Sequence, residues 1–223
     1  MLLAFDVGNT TTALGLFREG ELLHHWQLSS QAERTSDEWA VILEVLFGRA
    51  GERLGEVDGV AVACVVPPAL AAVERFVRRD LRLEPLVVGP GIHTGMPIRY
   101  ENPREVGADR IVGAVAAYET YGGPVIVVDF GTATTFDAVD AGGAYLGGAI
   151  APGVSIATEA LFERASRLPR VEVVRPPRVI GRNTVQSMQS GILYGFAGQA
   201  DGLVRRIQRE LGTPTKVVAT GEY

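Results

Sequence analysis

Two copies of one short pattern constrain this chain more than any other feature. In each copy an apolar strand ends in Asp-x-Gly, and threonines follow. The first copy is LLAFDVGNTTT, residues 2–12, and the second is VIVVDFGTATT, residues 125–135. Two copies of so unusual a unit, far apart in the chain, predict a duplicated domain whose two halves present matching loops.

The residue types in these loops suit phosphate groups and a cation. Gly8 and Gly131 allow the backbone to bend so that successive N–H groups point outward, and threonine hydroxyls add donors. Asp6 and Asp129, each at the end of a buried strand, are acceptor-only carboxylates of the kind that hold hydrated Mg²⁺ or another cation beside phosphates. For either loop alone, a tight hairpin closed by Asx and Ser/Thr turn bonds is an equally good explanation. The two copies together favour phosphate binding.

Length, charge and cysteine content restrict the class of protein. With 223 residues, 47% of them hydrophobic, the chain can bury one sizeable core or two small ones. The net charge is −5 and the arginines are scattered, so nucleic acid is not an expected partner. No apolar stretch approaches the ~20 residues of a membrane span and no basic leader precedes one, which predicts a cytoplasmic protein without a membrane partner. Cys64, inside an apolar run, is expected to be a buried and inert thiol, and the three histidines show no metal-ligand spacing.

Strand and helix patterns alternate in the first half of the chain. After the first loop, the strand pattern of residues 21–28 predicts an antiparallel meander. Thr35–Glu38 has the form of a capping box and begins an amphipathic helix that ends near Gly51. An apolar strand over 57–66, a helix opened by Pro67-Pro68 and a short strand over 85–89 follow. The strand–helix–strand order predicts parallel pairing and an α/β class.

A loop-like segment from Gly89 to Pro103 precedes a helix predicted to contain residues 105–110. On that helix Asp109 shares a face with small apolar residues, a position that does not favour solvation of a carboxylate. An ion pair with Arg110, or a contact with a neighbouring strand, is the structural alternative to a functional role.

Glycine and other small residues mark two later segments. Gly147–Gly153 is predicted either to let the N-terminus of a helix over 155–167 approach the site closely or to be a plain turn between a strand and that helix. Asn183 or Thr184 is predicted to cap a long helix over 185–211. One side of that helix is unusually small, which permits close packing within the chain or across a dimer; its members are Ser187, Ser190, Gly191, Gly195 and Gly198.

Several ordered motifs carry a resemblance to a known family. They are DVGNTTT (6–12), VVPP (65–68), YENPREVGADRI (100–111), DFGTATTFD (129–137), GGAIAPG (147–153) and IGRNTVQSMQSGILYG (180–195). The paired loops resemble those of the superfamily of acetate and sugar kinases, heat-shock ATPases and actin. The full set of motifs resembles type III pantothenate kinase almost from end to end.

The resemblance implies a fold and an activity. The fold is α/β, with duplicated ribonuclease H-like domains of the actin-like ATPase type, mixed sheets and a nucleotide cleft between the halves. The N-terminal half would cover residues 1–112 and the C-terminal half residues 113–223. The implied reaction is ATP-dependent phosphorylation of pantothenate to 4′-phosphopantothenate, the first step of coenzyme A biosynthesis, by a cytoplasmic homodimer.

The resemblance also implies roles for particular residues. Asp109 would be the catalytic base, Asp129 the ligand of K⁺ or NH₄⁺, and Asp6 the ligand of Mg²⁺, through water. The residues implied to contact ATP are Asp6, Val7, Gly8, Asn9, Thr10, Thr11, Thr12, Ala13 and Thr132. Those implied to bind pantothenate are Tyr100, Gly107, Ala108, Asp109, Arg110 and Thr184.

Two other functions are compatible with part of the sequence. A kinase for another small hydroxylated acceptor shares the phosphate loops, although segment 100–110 disfavours it. A non-catalytic family member that acts as a transcription accessory or interaction protein is the other, and the presence of Asp6, Asp109 and Asp129 disfavours it. Family members carry a glycine where Glu222 stands and continue beyond it, so the C-terminal half is expected to be truncated relative to the family.

Overall fold

The chain divides into two compact units in the computed structural model, which describes residues 1–89 and 92–221. One unit comprises Met1–His93 with Asn102–Val112, and the other comprises Thr94–Glu101 with Gly113–Tyr223. The prediction made for Glu222 lies outside the described residues. Within the described ranges, no helix is both long enough and apolar enough to cross a membrane.

The first unit is built on a five-stranded mixed sheet. Its strands are β1 (Leu2–Val7), β2 (Thr11–Arg18), β3 (Glu21–Ser29), β4 (Gly59–Cys64) and β5 (Leu86–Val88). They are ordered β3-β2-β1-β4-β5, with β1, β2 and β3 antiparallel and β1, β4 and β5 parallel. This arrangement confirms both the predicted meander and the predicted parallel pairing.

Two helices cover one face of this sheet. Helix α1 (Ser36–Ala50) begins with the predicted capping box between Thr35 and Glu38 and ends at Gly51, which has a left-handed conformation. Helix α2 (Pro67–Phe76) opens with the two prolines and continues into a π-helical turn over Val77–Leu81. The core between helices and sheet contains Leu3, Phe5, Val7, Leu14, Leu16, Trp39, Leu43, Phe47, Val73 and Phe76.

The second unit repeats the strand arrangement. Its strands are β6 (Val125–Phe130), β7 (Ala133–Val139), β8 (Tyr145–Pro152) and β9 (Lys216–Gly221), ordered β8-β7-β6-β9. Strands β6, β7 and β8 are antiparallel neighbours, and β9 pairs in parallel with β6. The four strands match β1–β4 of the first unit in order and direction, which confirms the predicted duplication and α/β class.

Three further α-helices lie within the described residues. Helix α3 (Ala108–Tyr121) begins in the first unit and ends in the second. Helix α4 (Val154–Arg164) follows β8 directly, and helix α5 (Thr184–Leu211) begins at the predicted cap Asn183. The C-terminal half of α5 packs on Ile126, Val128 and Phe136 of the sheet.

Two predictions of secondary structure are wrong. Glu105, Val106 and Gly107 lie before α3 rather than inside it, because a short 3₁₀ helix over Pro103–Glu105 precedes α3. The glycine-rich segment from Gly147 to Pro152 is part of strand β8. Gly148 is required there because a β-carbon would overlap the carbonyl of Phe136 on the neighbouring strand.

Candidate functional site

The first loop, Gly8 to Thr10, connects β1 to β2, and its residues Asn9 and Thr10 are exposed. The Gly8 amide donates to the Thr11 carbonyl at 3.0 Å and closes the turn. A β-carbon at Gly8 would lie 2.9 Å from that same carbonyl oxygen, so glycine is needed for close approach rather than for a left-handed conformation. The Gly8 amide therefore points into the turn.

Side chains of this loop divide between the two faces of the sheet. Val7 and Thr12 pair across the hairpin and are buried, Val7 within the core under the helices. Asp6 and Ala13 form the next pair and are exposed on the opposite face. A carboxylate at position 6 can therefore contact a ligand directly, whereas Val7 can do so only through its backbone.

Ser30, just after β3, holds this loop in place. Its amide donates to the Thr10 carbonyl at 2.8 Å, and its hydroxyl lies 2.8 Å from the Thr12 hydroxyl. Arg34 stabilises the same segment by donating to the Ser29 carbonyl at 3.1 Å. Ser30 could not be identified from the sequence, since a lone serine after a strand carries no distinctive signal.

The second loop is closed in an equivalent way. The Gly131 amide donates to the Ala133 carbonyl at 3.1 Å, and the Gly153 amide donates to the Thr132 carbonyl at 3.2 Å. A β-carbon on Gly153 would overlap the carbonyls of both Gly131 and Thr132. Gly153 thus lets the N-terminus of α4 approach the second loop closely, while the rest of the glycine-rich segment belongs to strand β8.

Asp129 and Thr135 are paired across β6 and β7, opposite the face that α5 covers. On its other side Asp129 pairs with Thr220 of β9. Asp129 is half-buried. Its neighbours on both adjacent strands carry hydroxyl groups, so the surroundings of this carboxylate are rich in oxygen.

Asp109 is the second residue of α3 and lies in the first turn of that helix. Its Oδ1 accepts a hydrogen bond from the Arg110 amide at 2.8 Å. A β-carbon on Gly107 would overlap the same oxygen. Asp109 is thus hydrogen-bonded to the backbone amide of Arg110. The sequence had suggested an ion pair with Arg110 as the structural alternative.

Tyr100 lies in a segment held against β8 within the second unit. Tyr145 of β8 donates its amide to the Pro97 carbonyl at 2.9 Å and accepts the Arg99 amide at 2.8 Å. The ring centroids of Tyr100 and Tyr145 are 6.5 Å apart. Gly147 has a φ of 113°, and a β-carbon there would approach the Tyr100 ring to 3.1 Å.

Thr184, the first residue of α5, lines a groove between α4 and α5. The groove has a volume of about 740 Å³ and a largely apolar lining. From α4 it is lined by Ala157, Thr158 and Leu161, and from α5 by Thr184, Ser187, Met188, Gly191, Ile192 and Phe196. Part of the predicted small side of α5 therefore forms one wall of this groove.

The predicted site residues fall into both units. The first unit holds residues 6–13 and Gly107–Arg110, and the second holds Tyr100, Asp129, Thr132 and Thr184. Within the first unit, Thr10 and Thr12 are hydrogen-bonded to Ser30, and Gly107 lies against the Asp109 carboxylate. Ser190, one of the small residues of α5, is buried, and its hydroxyl donates to the Val179 carbonyl at 2.5 Å.

The candidate cation sites at Asp6 and Asp129 offer carboxylate oxygens. Across residues 1–89 and 92–221 no cluster of three or more His, Cys, Asp or Glu side chains is arranged to hold an ion. Single strand-end carboxylates such as Asp6 and Asp129 fit a cation that takes its other ligands from water and phosphate, as Mg²⁺ commonly does. Cys64 is half-buried, and burial raises the pKa of its thiol, which agrees with the expected inert cysteine.

A family model described as type III pantothenate kinase matches residues 2–206. The chain belongs to the type III pantothenate kinase family. It is 59% identical over 221 residues to the type III pantothenate kinase of Moorella thermoacetica, a match that covers 99% of this chain and 87% of that protein. It is 57% identical over 221 residues to the type III pantothenate kinase of Myxococcus xanthus, covering 99% and 86% of the two chains.

Solved structures of distant sequence share the fold of this type III pantothenate kinase family member. Component A of (R)-2-hydroxyglutaryl-CoA dehydratase from Acidaminococcus fermentans aligns with a TM-score of 0.55 at 14% identity, over 99% of this chain and 82% of that one. At that identity the similarity concerns the fold alone. Together with the repeated strand order, it confirms the predicted actin-like ATPase fold class with mixed sheets.

Two buried polar residues of this family member went unnoticed in its sequence. Asp137 is 2% exposed and Tyr145 is fully buried, and the Tyr145 hydroxyl donates to Asp137 Oδ1 at 2.7 Å. The available signal was a carboxylate in the otherwise apolar strand FDAV, residues 136–139. A charged residue in such a strand calls for buried hydrogen-bond partners.

Proposed function

We propose that this chain transfers the γ-phosphoryl group of ATP to the hydroxyl of pantothenate, forming 4′-phosphopantothenate in the first step of coenzyme A biosynthesis. The observation that carries the proposal is the 59% identity to a type III pantothenate kinase over 99% of the chain. The local geometry supports it, because both phosphate-type loops are closed by backbone bonds from adjoining segments.

The first loop and Thr132 supply the contacts to ATP. Phosphoryl transfer passes through a loose transition state, so positioning and neutralisation of charge on the γ-phosphoryl oxygens provide most of the catalysis. The exposed loop residues Asn9 and Thr10 carry polar groups suited to phosphate oxygens, and Ser30 restricts the loop's motion. At the second loop, Thr132 lies beside the N-terminus of α4, where positive dipole charge favours an anion.

Asp109 is the general base. Its Oδ1 is oriented by the Arg110 amide, and we assign Oδ2 to the pantothenate hydroxyl. As that hydroxyl oxygen bonds to the γ-phosphorus and the bond to ADP breaks, the hydroxyl proton passes to Asp109. General-base assistance of this kind contributes roughly 10²- to 10⁴-fold.

Pantothenate is recognised by residues from two parts of the chain. The Arg110 guanidinium suits the carboxylate of pantothenate, because its planar donors match the two oxygens. Tyr100, Gly107, Ala108 and Thr184 complete the set of acceptor contacts. Tyr100 offers an aromatic face that β8 holds in place.

Two cations accompany the reaction. Asp6 would hold Mg²⁺ through water, and Asp129 would hold K⁺ or NH₄⁺. When bound, these ions neutralise negative charge on the phosphate oxygens. The donors present fit this role, since both sites consist of a strand-end carboxylate, and at Asp129 the paired residues on both adjacent strands are threonines.

The enzyme acts as a cytoplasmic homodimer with its acceptor pocket close to the interface. The dimer uses the small side of α5, where Gly191, Gly195 and Gly198 have open space around the position of a β-carbon. Interior glycines destabilise an isolated helix by about 1 kcal/mol each, and close packing of a second backbone can offset that cost.

The test is to incubate the purified chain with ATP, Mg²⁺, K⁺ and pantothenate and to detect 4′-phosphopantothenate by mass spectrometry. We expect stoichiometric ADP and product. Panthenol, which replaces the carboxylate of pantothenate with an alcohol, serves as the control and should be a poor acceptor. Absence of product with a folded chain would refute the proposal and favour a non-catalytic role, whereas phosphorylation of other small hydroxylated acceptors at equal rates would favour a kinase of different specificity.

A further inference from the structure

Asp137 is a buried carboxylate that the proposed reaction does not use. It lies on β7 and is 2% exposed. Its two oxygens have different donors, since Oδ1 accepts the Tyr145 hydroxyl at 2.7 Å and Oδ2 accepts the Thr135 hydroxyl at 3.1 Å. A buried carboxylate is costly unless it is hydrogen-bonded, so its occurrence between the buried apolar residues Phe136 and Ala138 calls for an explanation beyond packing.

Tyr145 links this carboxylate to the segment that carries Tyr100. Both backbone groups of Tyr145 bond to that segment, the amide to Pro97 and the carbonyl to Arg99. Ile98 and Tyr145 form an isolated parallel bridge at the same place. A single residue of β8 therefore anchors residues 97–100.

The rings of Tyr100 and Tyr145 also lie side by side. Their centroids are 6.5 Å apart with planes inclined by 50°, a geometry within the range that favours aromatic contacts. On another side, the Tyr100 ring lies against Gly147, where a β-carbon would come within 3.1 Å of the ring. The direction of the Tyr100 ring thus depends on where the Tyr145 ring is held.

We propose that Asp137 and Tyr145 are positioning residues for the acceptor. The Asp137 carboxylate fixes the Tyr145 ring through its hydroxyl, and Tyr145 in turn fixes Tyr100 in the orientation that binds pantothenate. Neither residue touches the acceptor or the nucleotide. This inference rests on the proposed function, in which Tyr100 contacts pantothenate.

A positioning role predicts a selective kinetic effect. Tyr145→Phe removes the hydroxyl and leaves the ring free to tilt, so KM for pantothenate should rise at least fivefold while KM for ATP stays within twofold of wild type. Asp137→Asn keeps an acceptor for the Tyr145 hydroxyl, so its KM for pantothenate should rise less than that of Tyr145→Phe. Asp137→Val removes the acceptor and should match or exceed Tyr145→Phe.

Tyr118→Phe is the matched control. Tyr118 lies on α3 in the same unit, and its ring packs against Gly123 and Gly143 rather than against Tyr100. The same chemical change there should leave both KM values unchanged. If Tyr145→Phe does not fold, the decision passes to the near-isosteric Asp137→Asn, for which a selective rise in KM for pantothenate above twofold supports the inference.

Several results would overturn the inference. A folded Tyr145→Phe variant with an unchanged KM for pantothenate would do so, as would an equal rise in both KM values, which would mark the pair as structural. If Asp137→Asn is the deciding variant, a KM for pantothenate within twofold of the wild-type value has the same meaning. A wild-type chain that forms no 4′-phosphopantothenate is a different failure, because it refutes the proposed function and the inference falls with it.

Discussion

The Asp109 carboxylate lies in space that is free only because residue 107 is a glycine. A β-carbon on Gly107 would overlap Asp109 Oδ1, the same oxygen that accepts the Arg110 amide. The overlap involves only the end of a flexible side chain, so the carboxylate rather than the backbone would move. The identity of residue 107 is therefore coupled to the direction of Asp109.

Gly107→Ala should lower activity without lowering stability. We expect kcat to fall at least about tenfold because the general base is displaced, while the free energy of unfolding changes by less than about 1 kcal/mol. Steady-state kinetics and thermal melting measure the two effects. Gly55→Ala, at a glycine with open space around its β-carbon position, is the control and should change neither. Wild-type turnover in Gly107→Ala would contradict the coupling.

Asp109→Asn tests the base itself. The amide keeps the shape of the side chain but cannot accept the hydroxyl proton, so turnover should drop by at least about tenfold with nearly normal pantothenate binding. Isothermal titration with pantothenate and initial rates separate binding from chemistry. Asp201→Asn, an exposed position on α5, should behave as wild type. If Asp109→Asn turns over at the wild-type rate with an unchanged melting temperature, Asp109 is structural.

Asp129 should make the activity depend on a monovalent cation. At constant ionic strength we expect high activity in K⁺ or NH₄⁺ and a sharp fall when only Na⁺ is present. Asp129→Ala should abolish that dependence together with most of the activity, because the cation loses its protein carboxylate. Equal initial rates of the wild-type chain in K⁺ and Na⁺ buffers would exclude this role.

Ser30 should affect ATP and not pantothenate. Ser30→Ala leaves the buried Thr12 hydroxyl without its partner at 2.8 Å, which should destabilise the fold by about 1–3 kcal/mol and raise KM for ATP. KM for pantothenate should not change. Adding Thr12→Val removes the unsatisfied hydroxyl, so the double variant should recover stability by urea denaturation. A rise in KM for pantothenate alone would show that Ser30 does not act on the first loop.

Gly195→Leu tests the interface on α5. The β-carbon position of Gly195 has nothing within 4 Å, so the larger side chain fits the single chain and should weaken association and pantothenate affinity together. Light scattering at micromolar concentration and titration with pantothenate report both. Gly48→Leu on α1, another helical glycine in open space, is the matched control. A monomeric wild-type chain, or a Gly195→Leu variant with lower stability but an intact dimer and normal affinity, would refute the interface.

Much of this protein was determined by sequence alone. The paired Asp-x-Gly loops predicted the duplication, the box from Thr35 to Glu38 and the cap Asn183 predicted where helices begin, and the ordered motifs indicated the family. These features depend on short stretches of chain, in which spacing and residue type restrict backbone geometry. Local restrictions of this kind can be seen without knowing which segments meet.

Tertiary structure decided the features that depend on distant contacts. The sequence does not indicate strand β8, because its glycines lower strand propensity. They are accommodated only because Phe136 and Tyr100 lie where a β-carbon would be. The start of α3 was placed too early because helical periodicity does not reveal that Gly107 accommodates the Asp109 carboxylate. The roles of Ser30, Asp137 and Tyr145 arise from hydrogen bonds to residues distant in sequence. The spacing of residues along the chain does not show which side chains will be such partners.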